Sequence, residues 1–185
     1  MASPFVLITV PHALQPRGRR VRASDLAARA TASELNEHLR ASGVPTILLE
    51  GDVVRERCDL NRFGACPLGS FQRRFEWALA RGPAFVVDVH SYPSSERWQL
   101  DRPVSAVVLY DGAETEAAAV VEALDEAGFL ASTVAGNPGV NAILVSSNRQ
   151  RVPAVLLEVN ESRGDDEHRR IASTLARYLV RRLSI

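Results

Sequence analysis

Pro83-Ala84-Phe85-Val86-Val87-Asp88-Val89-His90 decides the fold. The run is apolar and β-branched apart from Asp88 and the closing His90, and it is too short for an ordinary helix. It reads as a strand buried on both faces, which belongs in a parallel or mixed sheet covered by helices. Working outward, residues 5–10 form a similar run that ends in Pro11-His12, and residues 44–50 and 104–110 read as two more strands. Residues 129–134 and 142–146 read as further strands, and 152–159 as the last. Between them lie amphipathic stretches. Ser24 is placed to cap a helix over 25–41 that Gly43 stops, and Phe71, Phe75 and Leu79 share one face of a helix over 71–80. Residues 114–127 and 165–183 carry helical spacing too, whereas 13–23, 52–69 and 91–102 read as loops. Strands alternating with helices predict an α/β chain: three layers, α/β/α, around a mixed, largely parallel sheet.

The chain has 185 residues with no repeat, low-complexity tract or linker, so one domain over 1–185 is expected. Basic and acidic residues balance at 22 each, which argues against a nucleic-acid or membrane-surface partner. No apolar run nears the ~20 residues that span a bilayer, and Met-Ala-Ser-Pro leads straight into a strand, so a cytoplasmic location is expected. All 22 basic residues are arginine. Chemistry that needs a lysine, such as a Schiff base or a P-loop, is therefore excluded. Cys58 and Cys66 lack zinc-finger spacing and are expected to be free thiols.

In open α/β sheets ligands bind beyond the carboxyl ends of the strands, so the residues there matter most. The first strand ends in His12, the third in Asp88-Val89-His90-Ser91, and the last in Leu157-Glu158-Val159-Asn160-Glu161. Two of the four histidines thus finish buried strands, where neutral imidazoles suit zinc. His38 and His168 fall in helices with charged neighbours and read as solvated. Asp88 and His90 are two apart on a strand and share a face, so Asp88 is placed to orient a ligand or to cap the strand end. Glu158 sits in an apolar context. Burial there would favour its protonated form, as a general base and acid near neutral pH requires, unless an arginine neutralises it. Arg62 follows Asn61 in the loop after the second strand, and its planar fork matches a carboxylate.

Four segments, Val10-Pro11-His12, Asp59-Leu60-Asn61-Arg62, Asp88-Val89-His90-Ser91-Tyr92-Pro93 and Leu157-Glu158-Val159-Asn160-Glu161, resemble in order the N-formylglutamate amidohydrolase family. That family sits within the zinc carboxypeptidase-like folds. The resemblance implies one Zn²⁺ per chain held by His12 and His90, with Glu158 activating water. It further implies that Arg62, Asn61 and Asn160 bind a small carboxylated substrate, with Asp88 and Asp59 supporting the ligands. The reaction implied is hydrolysis of an N-formyl, N-acyl or peptide amide. One departure concerns the third ligand, a Glu three residues after the first His in carboxypeptidase-like sites. Here Gln15 stands there, an uncharged donor that weakens metal retention, and Glu50 is an alternative donor.

A second expectation follows from Gln15: a family relative that binds a carboxylated ligand without turning it over. A Ser-His-Asp triad is disfavoured because Ser91 and His90 are adjacent on a strand and point to opposite faces, and no Gly-x-Ser-x-Gly elbow is present. No Gly-x-Gly-x-x-Gly follows the first strand, so nucleotide binding is disfavoured too.

Overall fold

The computed structural model describes residues 4–14, 27–55, 57–62, 70–93, 104–136 and 140–183. Among these, one six-stranded sheet is built from β1 (Val6–Val10), β2 (Thr46–Glu50), β3 (Phe85–Tyr92), β4 (Ala106–Tyr110), β5 (Ala131–Ala135) and β6 (Ala154–Asn160). The strand order is β2-β1-β3-β6-β4-β5. The first four strands in that order run parallel, β4 is antiparallel to β6, and β5 is parallel to β4. Every residue of β3 is buried, as expected of a strand at the centre of a sheet covered on both faces.

Helices α1 (Ala28–Ala41), α3 (Glu114–Glu126) and α5 (Asp165–Leu183) cover one face. Leu35, Leu39, Val120, Leu124, Ile171 and Leu175 pack there on Ile8, Val87, Val89, Val155 and Leu157. The other face carries α2 (Ser70–Leu79) and α4 (Ala142–Arg149), whose Phe71, Phe75, Ile143 and Leu144 cover Leu7, Val86 and Leu156. The three-layer α/β/α architecture is therefore as the sequence predicts. No described helix is long and apolar enough to cross a membrane.

Several local readings change. Residues 142–146, expected as a strand, open helix α4, because the Asn141 side chain caps it by accepting from the Leu144 N–H at 2.9 Å. A short apolar run without its cap gives no period to tell strand from helix. Phe129 belongs to the end of α3 and not to β5. Gly128 takes φ 84° and the Phe129 N–H returns to the Leu124 carbonyl at 3.0 Å, a left-handed helix stop that leaves β5 to begin at Ala131. Strand β3 runs on through Tyr92, whose hydroxyl donates to the Val104 carbonyl at 2.8 Å, so Ser91 and Tyr92 are strand and not loop. Helix α1 begins at Ala28, while Ser24 and Asp25, the expected start, lie outside the described residues.

One close approach positions the loop after β2. The Gly51 N–H donates to the Val10 carbonyl at 2.8 Å, and a Cβ at Gly51 would fall inside the Pro11 carbonyl and 2.9 Å from Leu60 Cδ1. Only a residue without a side chain lets this loop lie against the turn that carries His12. Gly51→Ala should therefore cost roughly 2 kcal/mol or more, read as a lowered urea midpoint with an unchanged m-value.

Candidate functional site

The alternation of β3 sends Asp88 and His90 to the α2/α4 face and Ser91 to the other. Asp88 is fully buried, and its carboxylate is met from three elements. The Thr9 hydroxyl donates to Oδ1 at 2.7 Å from β1, and the Asn141 amide donates to Oδ2 at 3.3 Å from the start of α4. His90 Nε2 lies 3.1 Å from the same Oδ2. A buried carboxylate is stable only when its lone pairs are so occupied, and the Asp88 contact fixes the orientation of the His90 ring. His12, also buried, faces Asp59 Oδ1 through Nε2 at 2.9 Å. The two imidazoles meet edge to face with centroids 5.0 Å apart.

The loop after β2 supplies the bridge between them. Asn61 Nδ2 lies 3.2 Å from His90 Nε2, the Asn61 backbone N–H donates to Asp59 Oδ1 at 3.1 Å, and the Asn61 carbonyl accepts from Ala142 at the start of α4. Arg62 is largely exposed and holds Asp59 Oδ2 through Nε at 3.1 Å, with Arg55 Nε 3.9 Å from that oxygen. The Asp59 carboxyl is held at about 2, below its ordinary 3.8, chiefly by the hydrogen bond to His12. Burial opposes the shift, while the His12 charge, the Asn61 N–H and Arg55 add to it.

Glu158 is half-buried and stands opposite His90 in the β3–β6 register, so both side chains rise from neighbouring strands on one face. Asn160 is buried and its amide serves the backbone. Nδ2 donates to the Val104 carbonyl at 3.0 Å, and Oδ1 accepts from both the N–H and hydroxyl of Ser162. Glu50 points away from this cluster. Its register partner Val10 packs on the α1 side, and its carboxylate pairs there with Arg29 at 3.0 Å. Gln15 lies outside the described residues. Ser91 donates to Glu161 Oε1 at 2.8 Å and accepts from the Ala27 N–H, on the far face from His90.

Two expectations are corrected. Cys58 is disulfide-bonded and not a free thiol. The only other cysteine of the chain, Cys66, lies outside the described residues. A cross-link beside Asp59 restrains a stretch whose described residues form no helix or strand, and disulfides persist mainly in oxidising surroundings. His168 is buried, not solvated, with Nε2 2.9 Å from the Asn160 carbonyl, because it faces the sheet from the first turns of α5. Sequence reasoning missed Thr9 and Asn141. Thr9 looked like one more β-branched strand residue, and Asn141 gave its only signal as the cap of a helix that was read as a strand.

Among the described residues no three His, Cys, Asp or Glu side chains converge so as to hold a metal ion. His12, His90 and Asp59 are donor types that zinc takes, yet each imidazole turns its Nε2 to a carboxylate. As arranged, these residues do not fit a resident zinc. A cavity of about 160 Å³ opens beside them. Asp59, Asn61, Arg55 and Arg62 form its loop wall, Asn141 and Leu144 its helical wall, and Leu109 and Leu156 its floor.

No protein-family model matches the chain, and no curated protein does. Solved structures do share its fold. The gene product Atu2144 from Agrobacterium tumefaciens superposes with a TM-score of 0.76 at 20% identity, over 99% of this chain and 92% of that one. An N-formylglutamate amidohydrolase from Ralstonia eutropha JMP134 gives 0.61 at 16% identity, over 99% and 94%. The CwlD amidase from Clostridioides difficile, in complex with the GerS lipoprotein, gives 0.62 at 14%, over 97% and 98%. At these identities the likeness is one of fold, and it agrees with the fold that the motif resemblance implies.

The Asp59 contact makes a pH prediction. Its folded pKa lies below its unfolded one, so the ionised carboxylate stabilises the fold above about pH 4 and loses that contribution as the pH falls toward 2. Asp59→Asn should lower Tm at neutral pH, and the gap to the unsubstituted protein should close as thermal unfolding is followed down through that window.

Proposed function

We propose that the chain hydrolyses the amide bond of a small, carboxylate-bearing, amino-acid-like substrate. The observation that supports this best is the meeting of two acid–imidazole pairs, the half-buried Asp59–His12 and the buried Asp88–His90, at Asn61 on the rim of a small cavity. An imidazole oriented by a carboxylate is a proton carrier near neutral pH, and two beside a cavity have little structural purpose that one would not serve. The amide-hydrolysing neighbours of the same fold are consistent with the reading.

In this reading the Arg62 fork grips the substrate carboxylate at the cavity mouth, and Asn61 fixes its orientation. Glu158, alongside His90, takes a proton from the attacking water and returns it to the leaving nitrogen. Asp88 and Asp59 keep the imidazole rings in one orientation. Asn61 and Asn141 on the cavity wall, whose amide nitrogens already reach His90 and Asp88, each keep one N–H for the developing oxyanion, the place where such groups lower the barrier most. Zinc is no premise of this scheme, since the described residues do not gather a ligand set for it.

The disagreement between the site and a zinc ligand set favours a second reading, in which the cavity binds a carboxylated ligand without turnover. One experiment separates the two. Purified protein is assayed on N-formyl and N-acyl amino acids, with zinc offered and with chelator, while its metal content is measured. Hydrolysis should fall at least 100-fold in both His90→Ala and Glu158→Gln, and Arg62→Ala should raise KM about tenfold with kcat little changed. Full activity in the first two variants overturns the hydrolase reading. Binding that depends on Arg62, with no turnover in either metal condition, establishes the second reading. About one zinc per chain, lost in His90→Ala, would show that binding of the metal rearranges both imidazoles.

A further inference from the structure

The sheet register extends the site beyond its polar groups. Thr9 pairs with Asp88, Asp88 with Leu156, and Leu156 with Leu109, so one row across the α2/α4 face passes from two polar residues to two leucines. The next row toward the carboxyl end of β3 holds His90 and Glu158. The rows lie two residues apart along the strands, about 6.6 Å. That is the reach of an amino-acid side chain from the amide it flanks. Leu144 covers the leucine row from α4, and Val140 stands exposed at the edge of the cavity. Charged groups lining the cavity are confined, among the described residues, to the loop wall: Arg55, Asp59 and Arg62.

We infer that the site selects a monocarboxylate with an apolar side chain of about leucine size, an N-formyl or N-acyl derivative of an aliphatic amino acid, over the glutamate derivative. This deepens the hydrolase reading and rests on it for the position of the amide. The substrate's one carboxylate lies on Arg62 and its side chain on Leu156 and Leu109 under Leu144, while its amide reaches past Asn61 toward His90 and Glu158, which stand in the next row of the sheet and do not themselves line the cavity. A cavity of about 160 Å³ is close to the roughly 150 Å³ that admits a benzene-sized apolar group. A second carboxylate on the leucine floor would lie away from the loop wall, where Arg55 and Arg62 both stand beside Asp59, and would lose water that a hydrocarbon side chain never held.

The test compares N-formyl-leucine, N-formylglutamate and N-formylglycine on the full chain. Relative kcat/KM is measured, and equilibrium binding of the same three compounds to Glu158→Gln protein is followed by calorimetry. N-formyl-leucine should exceed both others at least tenfold in each readout. Leu109→Ala should reduce that advantage several-fold, with a thermal unfolding curve confirming the fold. Val140→Arg, a surface change that adds a cation at the cavity edge, should shift the ratio toward N-formylglutamate. A preference for N-formylglutamate, no advantage of leucine over glycine, or no binding of any compound overturns the inference. Leucine-selective binding without turnover supports it and overturns only the hydrolase reading.

Discussion

The fully buried carboxylate of Asp88, at the middle of the central strand, is the constraint on which the rest of the site depends. Taking such a group out of water costs several kcal/mol unless every lone pair finds a donor. The donors come from β1, from β3 itself and from the start of α4, so the carboxylate is satisfied only when three elements sit correctly. Asn141 shows how tightly this is drawn. Its oxygen caps α4 and its nitrogen reaches Asp88, so the helix and the strand are registered by one side chain. The orientation of His90 is thereby a property of the fold as a whole, not of its own rotamer.

The loop after β2 is held by a different logic. Among its described residues it has no helix or strand, yet four separate contacts fix it. Gly51 lies against the turn that follows β1, Asp59 against His12, the Asn61 carbonyl against Ala142, and Cys58 is cross-linked. The first three are tertiary contacts, so the described part of this loop takes its shape from β1, the turn after it and α4, and its polar side chains are held at the site together.

This division explains what could be read from the chain. The strand ends were legible because burial imposes a pattern: an apolar run that reaches His12, His90 or Glu158 shows where the sheet turns polar. Helix α5 was legible over its full length because its apolar positions repeat at helical spacing for five turns. Asn141 and Thr9 were not legible, since their importance lies in Asp88, which is distant in sequence. Cys58 was misread for a different reason. Spacing alone says nothing of whether a loop brings two sulfurs together. Of the residues singled out, Asn160 is the one whose side chain is spent on the backbone, and only the Val104 carbonyl, 56 residues away, reveals it.

The reversal of β4 gives the cavity its character. In an all-parallel sheet the strand beside β6 would arrive at the same edge with its own carboxyl end, and strand ends are where polar side chains and loops gather. Because β4 runs antiparallel to β6, Val107 rather than a strand-end polar group stands opposite Glu158, and Leu109 stands opposite Leu156. The polar half of the site is thus laid down by the parallel strands β1, β3 and β6, and the apolar half by the seam where direction changes. A charged ligand group is met on one side of that seam and a hydrocarbon on the other. The mixed topology, and not any single side chain, places those two demands within one substrate length of each other.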